Sequence, residues 1–190
     1  MSTIVAVLKN NVACIAADSL TSFGDTRQAA EFVTDYDKIL PHSDGSYIGI
    51  VGSAAHHLVI QNLLQHHADK VDLRDRFHIF ESMRQVHPIL KDEYFLNSKD
   101  EDEDAYESSR VDALIVNSSG IYGLYSLREV DQYSRFWAVG SGAEFALGAM
   151  LVAYDLLDDA EAIARAGIEA GACFDTGSAL PMTSYRVEVS

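Results

Sequence analysis

Basic residues are scarce in this sequence: 14 lysines and arginines stand against 29 aspartates and glutamates, a formal net charge of −15 over 190 residues. Phosphate binding needs basic clusters, so no nucleic-acid partner is expected. Cysteine is rarer still. Cys14 and Cys173 both lie among apolar and small residues, which reads as two buried thiols rather than a disulfide. No apolar run is long enough to span a bilayer, and the apolar start has neither cationic leader nor cleavage signal. No membrane and a cytoplasmic location are therefore expected. Metal-ligand spacing is missing as well. On one helix, His56-His57 and His66-His67 would stand roughly 16 Å apart. They cannot share an ion; they read as a solvated or interface face, and no metal or cofactor is expected. The glycines at 24, 140 and 142 form no phosphate-binding loop. Ser53 and Ser141 lack the Gly-x-Ser-x-Gly frame of a nucleophile elbow.

Hydrophobic residues make up 48% and charged residues 23%, which is ordinary for a globular chain. With no internal repeat and no linker, residues 1–190 read as a single domain. The one strongly biased run, Lys99-Asp100-Glu101-Asp102-Glu103-Asp104, predicts a solvated, mobile acidic loop at about 97–110.

The chain is organised around its first eighteen residues. Two apolar runs, 3–8 and 12–17, flank Lys9-Asn10-Asn11, whose asparagines tolerate the positive φ of a tight hairpin. Neither run alternates apolar with polar, so the hairpin must be covered on both faces and belongs in the middle of a layered fold. A polar loop is predicted over 19–26, strands over 37–40 and 47–51, and helices over about 52–70 and 73–96. Leu58, Leu63 and Leu64 supply apolar positions of the first helix, and Phe77, Phe80, Met83 and Ile89 those of the second. Pro88 should kink or split the latter. Strands follow at 113–117, 121–126 and 135–139, helices at 143–156 and from an Asp158 or Asp159 cap to about 173, and a strand at 184–189. Strands, two helices, strands, two helices and a strand predict an α+β fold, a four-layer αββα sandwich of two stacked, mainly antiparallel sheets.

Chemistry is implied at the chain start. Loss of Met1 would leave Ser2 with a hydroxyl and a free α-amine on neighbouring atoms. The hydroxyl needs a base, and an α-amine titrating near pH ~7.7–8.0 can supply one.

Six motifs occur in order: Ser2-Thr3-Ile4-Val5, Ala16-Ala17-Asp18-Ser19, Asp37-Lys38-Ile39, Gly49-Ile50-Val51-Gly52-Ser53-Ala54, Ala138-Val139-Gly140-Ser141-Gly142 and Asp175-Thr176-Gly177-Ser178. Together they resemble a proteasome β-type subunit of the N-terminal-nucleophile hydrolases. Among its branches, the chain is similar to the bacterial heat-shock peptidase of the two-component ATP-dependent protease and, more closely, to the beta-proteobacterial proteasome homologue. The resemblance implies Ser2 as nucleophile and its α-amine as general base, Lys38 aimed at the Ser2 hydroxyl, and Asp18 holding Lys38. It also implies Gly52 as oxyanion donor, and Ser141, Asp175 and Ser178 as the group that orients the amine. A substrate pocket of Leu20, Thr21, Ile50 and Ala54, apolar and without charge, is expected to favour a hydrophobic residue before the scissile bond.

Two features depart from the family pattern. Serine stands where most members carry threonine, and the segment between Asp18 and Lys38 is longer than in the heat-shock peptidase. The resemblance further implies a self-compartmentalising peptidase acting on peptides or unfolded proteins. Its identical subunits would stack in a double ring of six or seven each, seven preferred, served by a separate ATP-dependent unfoldase. No long propeptide is expected, so maturation would need only loss of Met1. If Met1 stays, the Ser2 amine is acylated and the alternative is a ring-forming scaffold. A small-molecule amidase is a third reading.

Overall fold

A computed structural model describes residues 2–99 and 104–190. Its first hairpin is β1 (Ile4–Lys9) and β2 (Val12–Asp18), paired from Ile4 with Ala17 to Lys9 with Val12. Asn10 and Asn11 carry φ of 50° and 60°, the type I′ geometry that suits strand twist. Where a polar loop was expected, a short exposed hairpin forms from β3 (Thr21–Phe23) and β4 (Thr26–Gln28). After β5 (Ile39–Pro41) and β6 (Tyr47–Val51) comes α1 (Ala54–His66), where the Ser53 hydroxyl accepts the Ala55 N–H at 3.3 Å.

Helix α2 (Arg76–Asp92) is shorter at both ends than expected, and the Asp75 carboxylate caps it by accepting the Phe77 and His78 N–H groups. Pro88 does not split it. A buried stripe of Ile79, Met83, Val86 and Leu90 runs past the proline, and that packing outweighs the lost backbone bond. The expected apolar faces need correction: Leu58, Phe77 and Phe80 are exposed.

Strands β7 (Asp112–Asn117), β8 (Gly120–Leu124), β9 (Val130–Tyr133) and β10 (Phe136–Val139) follow; β9 was not expected. Then come α3 (Ala143–Leu156), α4 (Ala160–Phe174), capped by the Asp159 carboxylate, and β11 (Met182–Glu188).

All pairings are antiparallel, in two main sheets ordered β10-β1-β2-β11 and β5-β6-β7-β8-β9. Their packing explains the uniformly apolar first hairpin. Ile4, Ala6, Ala13, Ile15 and Ala17 face the second sheet, meeting Leu114, Val116 and Ile121. Val5, Val7, Cys14 and Ala16 face α3 and α4, meeting Met150, Ile163 and Ile168. The second sheet turns Ile48, Ile115 and Tyr122 outward to Leu63, Ile79 and Leu90 of α1 and α2. The layers are therefore helices, sheet, sheet, helices.

Both cysteines are free, but only Cys14 is buried, where burial pushes its thiol up to about 12; Cys173 is exposed. Cys173 lies in the last turn of α4, outside that helix's buried face of Ile163, Ala164, Gly167, Ile168 and Gly171, which corrects the expectation of two buried thiols. Part of the expected acidic loop, residues 100–103, lies outside the described residues. No helix among those described is long and apolar enough to cross a membrane.

Candidate active site

The site grows from the point where β1 begins. Ser2, 5% exposed, is held from the β10–α3 turn: the Gly142 N–H donates to its carbonyl oxygen at 3.3 Å. Gly140 lets the chains approach. Its φ is +98°, and a Cβ there would stand 2.1 Å from the Ser2 carbonyl oxygen, so no other residue fits.

The Ser2 nitrogen donates to the Ser141 hydroxyl at 3.2 Å, and that hydroxyl donates to Asp175 Oδ2 at 2.7 Å. The Ser178 hydroxyl donates to the same carboxylate oxygen at 2.7 Å and lies 2.7 Å from Thr3 Oγ1, while the Gly177 N–H reaches Asp175 Oδ1 at 3.2 Å. Burial pushes the Asp175 carboxyl up, but the bonds from Ser178, Ser141 and Gly177 outweigh it and hold the group below its ordinary value. It therefore stays an anion that fixes the Ser141 hydroxyl as an acceptor for the Ser2 nitrogen.

At the end of β2, Asp18 is buried. Its Oδ1 accepts Lys38 Nζ at 2.6 Å and the Thr3 N–H at 2.9 Å; its Oδ2 accepts the N–H groups of Leu20 at 3.0 Å and Ala179 at 3.1 Å. Such a set of donors compensates the buried carboxylate. Lys38 enters just ahead of β5, fixed by a bond from the Ile50 N–H to its carbonyl. Burial pushes its ammonium down and Asp18 pulls it back, leaving it below the ordinary lysine value. Gly52 follows β6 with φ +111°, and nothing lies within 4 Å of where its Cβ would be. Backbone conformation rather than space requires glycine there.

Ser2, Lys38 and Gly52 line one open cleft of about 780 Å³, together with Leu20, Thr21, Ile50 and Ala54. Ser141, Asp175 and Ser178 are gathered instead around the Ser2 nitrogen. The expected absence of charge from the cleft does not hold: Asp35 and Asp37 line it, with Tyr36 and His57. Sequence reading missed them because residues 28–34 have no period, so the path of the chain into Lys38 was open. Asp37 accepts the Ile39 N–H at 2.9 Å, the Thr183 hydroxyl at 2.8 Å and the Tyr185 hydroxyl at 2.5 Å. Among the described residues, no three His, Cys, Asp or Glu side chains are grouped to hold a metal ion.

Compared with solved structures, the chain is 39% identical to Thiobacillus denitrificans BPH, the bacterial proteasome homologue, with a TM-score of 0.92 over 99% of this chain and 98% of that one. The chain belongs to the bacterial proteasome homologue family. It thus has the fold of proteasome-type N-terminal-nucleophile hydrolases. Thiobacillus denitrificans BPH in complex with epoxomicin is 38% identical, with a TM-score of 0.87 over 99% of both chains. Eukaryotic HslV from Trypanosoma brucei shares the fold at 18% identity and a TM-score of 0.72, over 98% of this chain and 99% of that one. No protein-family model and no curated protein matches the chain.

Proposed function

We propose that the protein is a peptidase whose nucleophile is Ser2, freed by loss of Met1. The observation that carries this reading is the relay from the Ser2 nitrogen through Ser141 to Asp175. It holds that nitrogen where a freed α-amine would face a fixed acceptor. The amine takes the Ser2 hydroxyl proton through a water molecule, and Oγ adds to the substrate carbonyl. The Gly52 N–H stabilises the resulting oxyanion. The amine then returns the proton to the departing substrate nitrogen as the C–N bond breaks, leaving an ester on Ser2. Water, deprotonated by the same amine, hydrolyses that ester. Lys38, held by Asp18, keeps a positive charge near Ser2, which favours an unprotonated amine and a developing alkoxide. A relative solved with epoxomicin supports peptide-like ligands in this cleft.

The same reading makes the assembly a homo-oligomeric double ring, seven subunits preferred over six, enclosing the sites and accepting peptides or unfolded protein from a separate ATP-dependent unfoldase. Exposed Phe145, Leu151, Val152 and Leu156 on α3 support self-association.

Peptide hydrolysis by Ser2→Ala, and by wild type with its amine blocked by a retained Met1, tests the mechanism. Both should lose turnover at least about a thousandfold. Wild-type rates in either would refute the serine–amine pair.

A further inference from the structure

We infer that the cleft beside Ser2 selects a lysine or arginine on the acyl side of the scissile bond, with Asp35 as the specificity-determining carboxylate. The inference rests on the Ser2 reading above and adds the substrate class. Charge in the cleft is unbalanced. Lys38 is its cation, and that charge is already engaged by buried Asp18 at 2.6 Å. Asp35 and Asp37 remain. Asp37 is committed to Ile39, Thr183 and Tyr185, which anchors it as a fixed negative charge in the wall. Its bond, with burial, pushes the Tyr185 phenol up to about 12, so the hydroxyl stays a donor to it. Asp35 is exposed and pairs with no cation among the described residues.

The remaining wall suits the same guest. Exposed Leu58 and half-buried Val33 offer apolar surface for the aliphatic stem of a lysine or arginine, and Tyr36 lines the cleft with them. His57 Nε2 is buried without a hydrogen-bond partner. Burial pushes that imidazole down, with the Asp37 charge opposing, so the ring is neutral near pH 7 and does not repel a cation. A norleucine side chain would fill the apolar part and leave Asp35 and the imidazole unanswered. A buried polar group left unpaired by its guest costs binding, which applies to the His57 imidazole; Asp35, being exposed, discriminates through its charge. An acidic side chain would meet two carboxylates.

The test compares two fluorogenic peptides differing only in arginine or norleucine at that position, with wild type, Asp35→Asn, Asp35→Glu and Ser2→Ala. The expected wild-type preference for arginine in kcat/KM is about tenfold or more, equivalent to about 1.4 kcal/mol. Asp35→Asn should remove most of it, and Asp35→Glu should restore it. Raising ionic strength from about 0.01 M to about 1 M should shrink the preference, because an exposed carboxylate is screened; a purely structural role for Asp35 would not respond to salt. Ser2-dependent hydrolysis that favours norleucine, or a preference unchanged in Asp35→Asn, overturns this inference alone. Hydrolysis that survives Ser2→Ala, or no hydrolysis of either peptide by processed wild type, overturns the Ser2 reading and the inference with it.

Discussion

At the scale of residues, the site consists of two acid-centred clusters that meet at Ser2. One holds a charge pair, Asp18 with Lys38; the other holds hydroxyls around Asp175. Lys38→Ala should abolish turnover and also destabilise the fold by about 3 kcal/mol, because Asp18 would keep its N–H donors but lose its counter-charge in a buried place. Urea unfolding checks this, and wild-type stability would contradict the pair's place in the core. Asp175 gives a pH dependence of known sign. Its folded value lies below the ordinary 3.8. Between the two the unfolded chain binds more protons, so the stabilisation is present above pH 3.8 and lost as acid carries the group through its folded value. Asp175→Asn should flatten the fall of unfolding free energy in that window. An unchanged slope would mean that the carboxylate is not stabilised by Ser141 and Ser178.

At the scale of elements, α3 carries the clearest consequence. Phe145, Leu151, Val152 and Leu156 are exposed along it, while Ala146, Met150 and Ala153 pack inward. Leu156→Glu should leave the subunit folded, since Leu156 is 76% exposed, yet weaken self-association at least about tenfold by light scattering. A wild-type monomer at micromolar concentration would remove the ring proposal altogether. Elements with strong local signals were legible in the sequence. The Asn10-Asn11 turn announces itself chemically, and α3 falls on the residues expected of it. Those decided by packing were not. The β3–β4 hairpin and β9 are short and half-exposed, so no two-residue alternation develops. Helix α2 tolerates Pro88 because its buried stripe continues beyond it, a fact of tertiary structure that local propensity cannot express. The candidate site was legible as motifs, since Asp18, Lys38, Ser141, Asp175 and Ser178 are each flagged by neighbours in sequence. The cleft's charge was not, because Asp35 and Asp37 reach it only through an aperiodic segment.

At the scale of the whole molecule, the buried chain start is the feature that ties fold to chemistry. A hairpin covered on one face by a sheet and on the other by helices places Ser2 at the rim of the core, between the cleft and the Asp175 relay. A net charge of −15 over the chain favours the approach of cationic peptides over acidic ones. A free amine exists at Ser2 only if Met1 is gone, so under the proposed mechanism the state of the first residue decides whether the molecule is an enzyme. Intact-mass spectrometry after incubation with epoxomicin reads both facts at once. The account predicts a protein lighter by one methionine that gains one inhibitor mass, mapped to Ser2 because the epoxyketone needs hydroxyl and amine together, while protein retaining Met1 gains none. An adduct on Ser53 or Ser141, or on protein that still carries Met1, would contradict it.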